Sequence, residues 1–267
     1  MTSDPFLAFK DRQREMWASF APTAMFTTPV AGHLVRFAGI APGEAVLDVG
    51  TGTGVVAITA ARAGARASGI DLTPALLEAA RENARIAGLP DVQWVEGDAE
   101  RLPFPDASFD VVVSQFGHMF APRPEFAVAE MRRVLKPSGC IAIATWPPEN
   151  LVGQCFAFIG RHAPPLPPGG PPPSHWGDAA VIKERLARRF DECSFERGVM
   201  AIPALSLAHY RSFMERSVGP LQKLVESLAE SPEHLNDVRR EFEAICEPYY
   251  ADNLVKQEYL LTRAAAR

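Results

Sequence analysis

Ala45-Val46-Leu47-Asp48-Val49-Gly50-Thr51-Gly52-Thr53-Gly54 (AVLDVGTGTG, residues 45–54) is a short apolar run closed by alternating glycines, and Val55 to Arg62 continues it with helix-forming residues. The pattern reads as a strand, a tight turn and a helix. Glycines at such a turn accept the backbone angles it needs and let a ligand come close to the chain. In open α/β sheets, ligands lie in the crevice beyond the carboxyl ends of the strands. Asp48, Gly50, Thr51, Gly52 and Gly54 are therefore candidate ligand-binding residues, although a glycine cluster taken alone also suits a purely structural turn.

Moving toward the C-terminus, the alternation repeats. Ala65 to Ile70, Val92 to Val95, Phe109 to Ser114 and Cys140 to Trp146 read as strands, with helices over Pro74 to Ala87 and Arg123 to Leu135. Continuous apolar strands alternating with helices predict a parallel sheet covered on both faces. Asp71 falls at the end of the second strand, just before a helix start at Thr73-Pro74, where a carboxylate can accept both hydrogen bonds of a ribose diol. It also suits a simple helix N-terminal charge. Asp98, in Glu96-Gly97-Asp98-Ala99-Glu100 after the third strand, is an acceptor placed to meet the exocyclic amine of a bound base, or a solvated turn residue.

The order DVGTGTG, GID, EGDAERLPFPDASFDVVVSQF and AEMRRVLKPSGCIAIATW resembles the class I S-adenosylmethionine-dependent methyltransferases, in particular the ubiquinone and menaquinone C-methyltransferase-like (type 11) branch. The resemblance covers about residues 40 to 147. It implies an α/β fold: a doubly wound, seven-stranded Rossmann-like sheet with the last strand antiparallel and S-adenosyl-L-methionine across its carboxyl edge. By motif position it assigns Asp48, Gly50, Thr51, Gly52 and Gly54 to the methionine half, Asp71 with Leu72 to the ribose, Asp98 with Ala99 to the adenine, and Gln115 to the position after the fourth strand. Trp17, Phe26 and Thr28 are further candidate contacts, in the helical segment that closes over the sulfonium in similar proteins.

Outside that core, residues 6 to 38 read as two helical stretches broken by Pro22 and Pro29. Of the 24 prolines, nine fall between Pro147 and Pro173, ending in PPLPPGGPPP, which predicts a linker, a surface loop or a lid. A helix is expected over 178 to 189, a strand over 190 to 202, and three cap helices over 206 to 250, the third capped by Ser231-Pro232. Leu254 to Thr262 reads as a final edge strand. The expected organisation is a helical segment at 1–40, a cofactor-binding core at 41–147, a Pro-rich loop with remaining core elements at 148–205, a helical cap forming an acceptor pocket at 206–250, and the edge strand at 251–267.

The loop spacing GxGxG, preceded by the acid Asp48, departs from the dinucleotide fingerprint GxGxxG. A carboxylate there repels a pyrophosphate and suits a ligand carrying an ammonium and a sulfonium, which argues against a nicotinamide oxidoreductase. A formal net charge of −5 offers no cationic field to a phosphate backbone, so nucleic acid is not expected as a partner and a macromolecular substrate is disfavoured. No apolar run reaches the length of a membrane span, no signal segment is evident, and Cys140, Cys155, Cys193 and Cys246 show neither a metal nor a disulfide pattern. A cytoplasmic monomer or homodimer without a metal is expected.

Methyl transfer from a sulfonium is a direct displacement, so the protein's task is alignment and exclusion of water. The expected acceptor is a small apolar or aromatic molecule. His118 is the candidate base, should the acceptor need one. His175, Trp176, Tyr210, Tyr249 and Tyr250 are candidates for the pocket wall. A methyltransferase-fold protein that holds the cofactor without turnover is the alternative.

Overall fold

The computed structural model describes residues 4–162 and 170–267. Two helices lead the chain, α1 (Leu7–Trp17) and α2 (Ala21–Ala38). Pro22 sits in the first turn of α2, where a missing N–H costs nothing, and Gly39 ends the helix with φ of 73°. Pro29, expected to break the segment, is carried inside α2. The face bearing Val30, Ala31, Leu34, Val35 and Ala38 is buried on the sheet and holds the helix across the proline.

The core follows as β1 (Ala45–Val49), α3 (Val55–Arg62), β2 (Arg66–Asp71), α4 (Pro74–Ile86), β3 (Gln93–Glu96), β4 (Phe109–Gln115), α5 (Pro124–Val134) and β5 (Leu135–Thr145). Within β5, Leu135 pairs with Phe109 and Cys140 with Val111, so Lys136-Pro137-Ser138-Gly139 bulges between them. Next come α6 (Leu151–His162), α7 (Ala179–Leu186), β6 (Ser194–Pro203), α8 (Leu207–Ser217), α9 (Gly219–Ser227), α10 (Pro232–Cys246), the two-residue β7 (Tyr250–Ala251) and β8 (Leu254–Ala265). Asp178 caps α7 by accepting from Ala180 N and Val181 N, and Ser206 caps α8 by accepting from His209 N. Ser231, expected to cap α10, makes no such bond, and that helix starts on Pro232 alone.

The sheet runs β3-β2-β1-β4-β5-β8-β6, with β7 paired to β8. The first five strands are parallel, while β8 is antiparallel to both β5 and β6. The final strand is therefore interior, not an edge; β6 is the edge. The polar positions that suggested an edge, Lys256 and Glu258, alternate with buried Val255, Gln257 and Tyr259. They are the solvent face of a strand paired on both sides. Helix α6, inside the proline-rich region, went unforeseen, and the question of linker or lid falls on 163–169, outside the described residues. Among the described residues no helix is long and apolar enough to cross a membrane.

Candidate functional site

All five parallel strands deliver their carboxyl ends to one edge, and the AVLDVGTGTG bend lies at its middle. Gly50 N and Thr51 N both donate to Ile70 O (2.8 and 2.9 Å), which fixes the bend onto β2. Gly50 and Gly52 have φ of 68° and 54°, a conformation that favours glycine. Asp48 is buried, and its Oδ2 accepts from Thr51 Oγ1 (2.6 Å) and Ala57 N (3.2 Å). Its Oδ1 has no partner among the described residues. Burial pushes the Asp48 carboxyl up to about 7, against the pull of the Thr51 hydroxyl.

Asp71 accepts from Gly52 N (2.8 Å) through Oδ2 and from Thr73 N (2.8 Å) through Oδ1, tying the bend to the end of β2. Burial raises its carboxyl as well, opposed by these backbone bonds. Asp98 accepts from Glu100 N (2.9 Å) and faces Lys10 Nζ at 2.6 Å. Lys10 also meets Glu100 (2.6 Å) and Asp4 (2.7 Å), so an ammonium from α1 sits among the three carboxylates. Gln115 Nε2 donates to Thr27 O (3.1 Å), leaving Oε1 unpartnered among the described residues.

One cavity is lined by Asp48, Gly50, Thr51, Gly52, Asp71, Leu72, Asp98, Ala99 and Gln115 together. Trp17 joins them, but three of the residues expected there do not. A Cβ on Gly54 would lie 2.5 Å from Trp94 Cη2, so that glycine serves the packing of α3 on the sheet. Thr28 is exposed and Phe26 packs edge-on against Phe213 at 5.6 Å. Thr23, Ala24 and Thr27 take the inward positions of α2. The helical phase there is one residue off the expected one, a shift that the apolar pattern of a proline-bearing helix could not fix.

Beyond the strand ends the same cavity opens into an apolar chamber. Phe20 and Phe120 join Val152, Phe156 and Ile159 of α6, Met200 and Ile202 of β6, Met214 of α8, Leu221 of α9 and Phe242 of α10. Tyr210 and Gln257 supply a polar pair in this wall, with Gln257 Nε2 donating to Tyr210 OH at 2.7 Å. Gln257 was missed at the sequence level, although a polar residue at an inward position of an alternating strand was its signal. Lys10 and Gln13, also in the lining, carried none, being polar residues in a polar helix.

His118 is a correction. It is not among the lining residues; its ring lies edge-on to Trp176 at 4.6 Å, fully buried. Burial, with the Arg185 charge, drives its pKa down to about 3. Such a ring is neutral and a poor base, so the candidate base is withdrawn. Of the other wall candidates, Tyr210 alone lines the cavity. Trp176 is buried against His118, Tyr249 OH accepts from Gln154 Nε2 (2.9 Å), Tyr250 OH donates to Ala204 O (3.3 Å), and His175 lies outside the lining.

The chain matches the family model of the type 11 methyltransferase domain over residues 47–143. It is 34% identical over 255 residues to an uncharacterized protein of Mycobacterium tuberculosis strain H37Rv, covering 94% of this chain and 93% of that one. Over 124 residues it is 40% identical to the demethylmenaquinone methyltransferase of Deinococcus radiodurans, covering 45% of this chain and 51% of the relative. The YcgJ protein of Bacillus subtilis has the same fold, with a TM-score of 0.61, 20% identity and coverage of 89% of this chain and 97% of that one. A matched methyltransferase domain, a shared fold and an acid-flanked glycine bend at the strand ends converge: this chain belongs to the type 11 branch of the class I methyltransferases and is an enzyme that uses S-adenosylmethionine.

Proposed function

We propose that the enzyme methylates a small, apolar or aromatic molecule by direct displacement, in the chamber between the strand ends and helices α6 and α8–α10. The observation that carries this reading is the continuity of one cavity, acidic and glycine-lined at the strand ends and apolar beyond them. Bound S-adenosylmethionine supplies an electrophilic methyl on a sulfonium. In this reading Asp71 and Leu72 hold the ribose, Asp98 and Ala99 the adenine, and Asp48, Gly50, Thr51, Gly52 and Gln115 the methionine half.

The chain fits that group. Asp48 Oδ1 is a buried acceptor that wants a donor, which an ammonium provides. At Gly52 nothing lies within 4 Å of where a Cβ would stand, so the bend leaves open space above it. The remaining work of the protein is to exclude water and align the acceptor, which the apolar wall and the Tyr210–Gln257 pair are placed to do. Burial raises the Tyr210 phenol well above its ordinary range, so it acts as a neutral hydrogen-bonding group. Four unpaired cysteines and the acidic net charge support a reducing, cytoplasmic setting and a small-molecule acceptor over nucleic acid.

The test is calorimetric titration with S-adenosylmethionine and S-adenosylhomocysteine, followed by an acceptor screen that reads S-adenosylhomocysteine release. Absence of cofactor binding, or turnover confined to macromolecules, overturns the reading. Asp71→Ala is expected to weaken cofactor binding by about 1–3 kcal/mol through loss of charge-assisted hydrogen bonds. A folded variant with unchanged affinity removes Asp71 from the site.

A further inference from the structure

Phe116 follows β4 with φ of 62°, a left-handed backbone that is strained for a bulky residue and free for glycine. The turn is pinned on several sides. Phe116 N donates to Ala144 O (3.0 Å) and His118 N to Ser114 Oγ (3.1 Å). Gly117 meets Gly50 so closely that a Cβ on either would lie 2.7 Å from the other's Cα. Glycine at 116 would make the same turn without strain, so the ring is what the position retains.

That ring lies face to face on Trp146, with centroids 3.8 Å apart and planes 11° apart, and meets Tyr259 edge-on at 6.3 Å. Phe116 and Trp146 both line the cavity. Trp146 is buried at 7% exposure while Phe116 is half-buried, so the accessible surface of the stack belongs to Phe116. In sequence it stands between Gln115 and Gly117, which line the strand-end half, and its stacking partner follows β5 directly. The stack thus stands where the acidic half of the cavity gives way to the apolar chamber.

We propose that Phe116, backed by Trp146, is a stacking platform for a planar ring of the methyl acceptor and makes the enzyme prefer aromatic over saturated acceptors. This rests on the apolar-acceptor reading above and narrows it. Aromatic pairs gain beyond their buried area through offset or edge-to-face geometry. A ring already fixed by a neighbour and a pinned turn loses little freedom when a ligand lands on it.

The experiment is calorimetric titration of the full chain, saturated with S-adenosylhomocysteine, with naphthol and with its saturated counterpart decahydronaphthol. Naphthol is expected to bind about three- to tenfold more tightly. Phe116→Leu, which keeps apolar volume and loses the ring, removes that preference, and Phe116→Tyr keeps it. Trp146→Leu, the second variant, reduces it by leaving Phe116 without its backing. Equal binding of the two alcohols by the unsubstituted protein, or a preference that survives Phe116→Leu, overturns the platform and leaves the apolar-acceptor reading standing. Binding of neither alcohol by a protein that holds S-adenosylhomocysteine brings down that reading, and the platform with it.

Discussion

If Asp48 holds the methionine half as proposed, one buried atom couples its protonation to binding. With its pKa near 7 in the free protein, it is protonated for much of the range below neutrality. An ammonium beside Oδ1 favours the ionised form, so binding then releases a proton. S-adenosylhomocysteine affinity is therefore expected to rise with pH up to about 7 and level off above it. Asp48→Asn should bind more weakly and without that slope, as read by calorimetry across pH 5.5 to 8.5 in buffers of different ionisation enthalpy. At this scale the sequence was informative wherever a glycine or an acid stood at a strand end, because the backbone itself sets such positions. It misplaced His118, which reads as a base beyond the fourth strand but is turned into the core, edge-on to Trp176 from much later in the chain. The same limit concealed Phe116, since no composition signal marks a left-handed phenylalanine.

Helix α1 reverses the usual arrangement. Its buried residues are Lys10 and Gln13, while Leu7 is exposed. The sequence marks a helical stretch here but not its inward face, because that side is chosen by the Asp4, Asp98 and Glu100 carboxylates. Burial would depress the Lys10 ammonium, yet these three partners outweigh it and hold its pKa above the ordinary value. Lys10→Met leaves Glu100, itself almost fully buried, with Arg123 as its remaining ion partner. Unfolding in urea should show a loss of about 3 kcal/mol, the scale for removing one member of a buried ion group. An equally stable variant would show that the cluster contributes nothing. The parallel strands and their helices were legible from the sequence because each carries its own apolar signature. The interior place of β8 was not, since pairing on both sides by β5 and β6 is a long-range property.

In the molecule as a whole, the chamber is roofed from two distant stretches of chain. Ser19 Oγ donates to Gln222 Oε1 (3.1 Å) and Thr23 Oγ1 to Ser217 O (3.4 Å). A Cβ on Gly219 would lie 2.0 Å from Met16 O, so α9 begins directly on the end of α1. Opening one part disturbs the other. Backbone amides of Leu7–Trp17 and of Leu207–Ser227 are thus expected to slow together in hydrogen exchange when naphthol occupies the chamber. Protection confined to one of the two stretches would show that they move independently. The contact at Gly219 reaches further: in a chimera, α8–α10 taken from a relative without its α1 and α2 would bring a seam that no longer closes. A graft that transfers both α1–α2 and α8–α10 should instead keep the seam closed and carry its donor's acceptor selectivity with it.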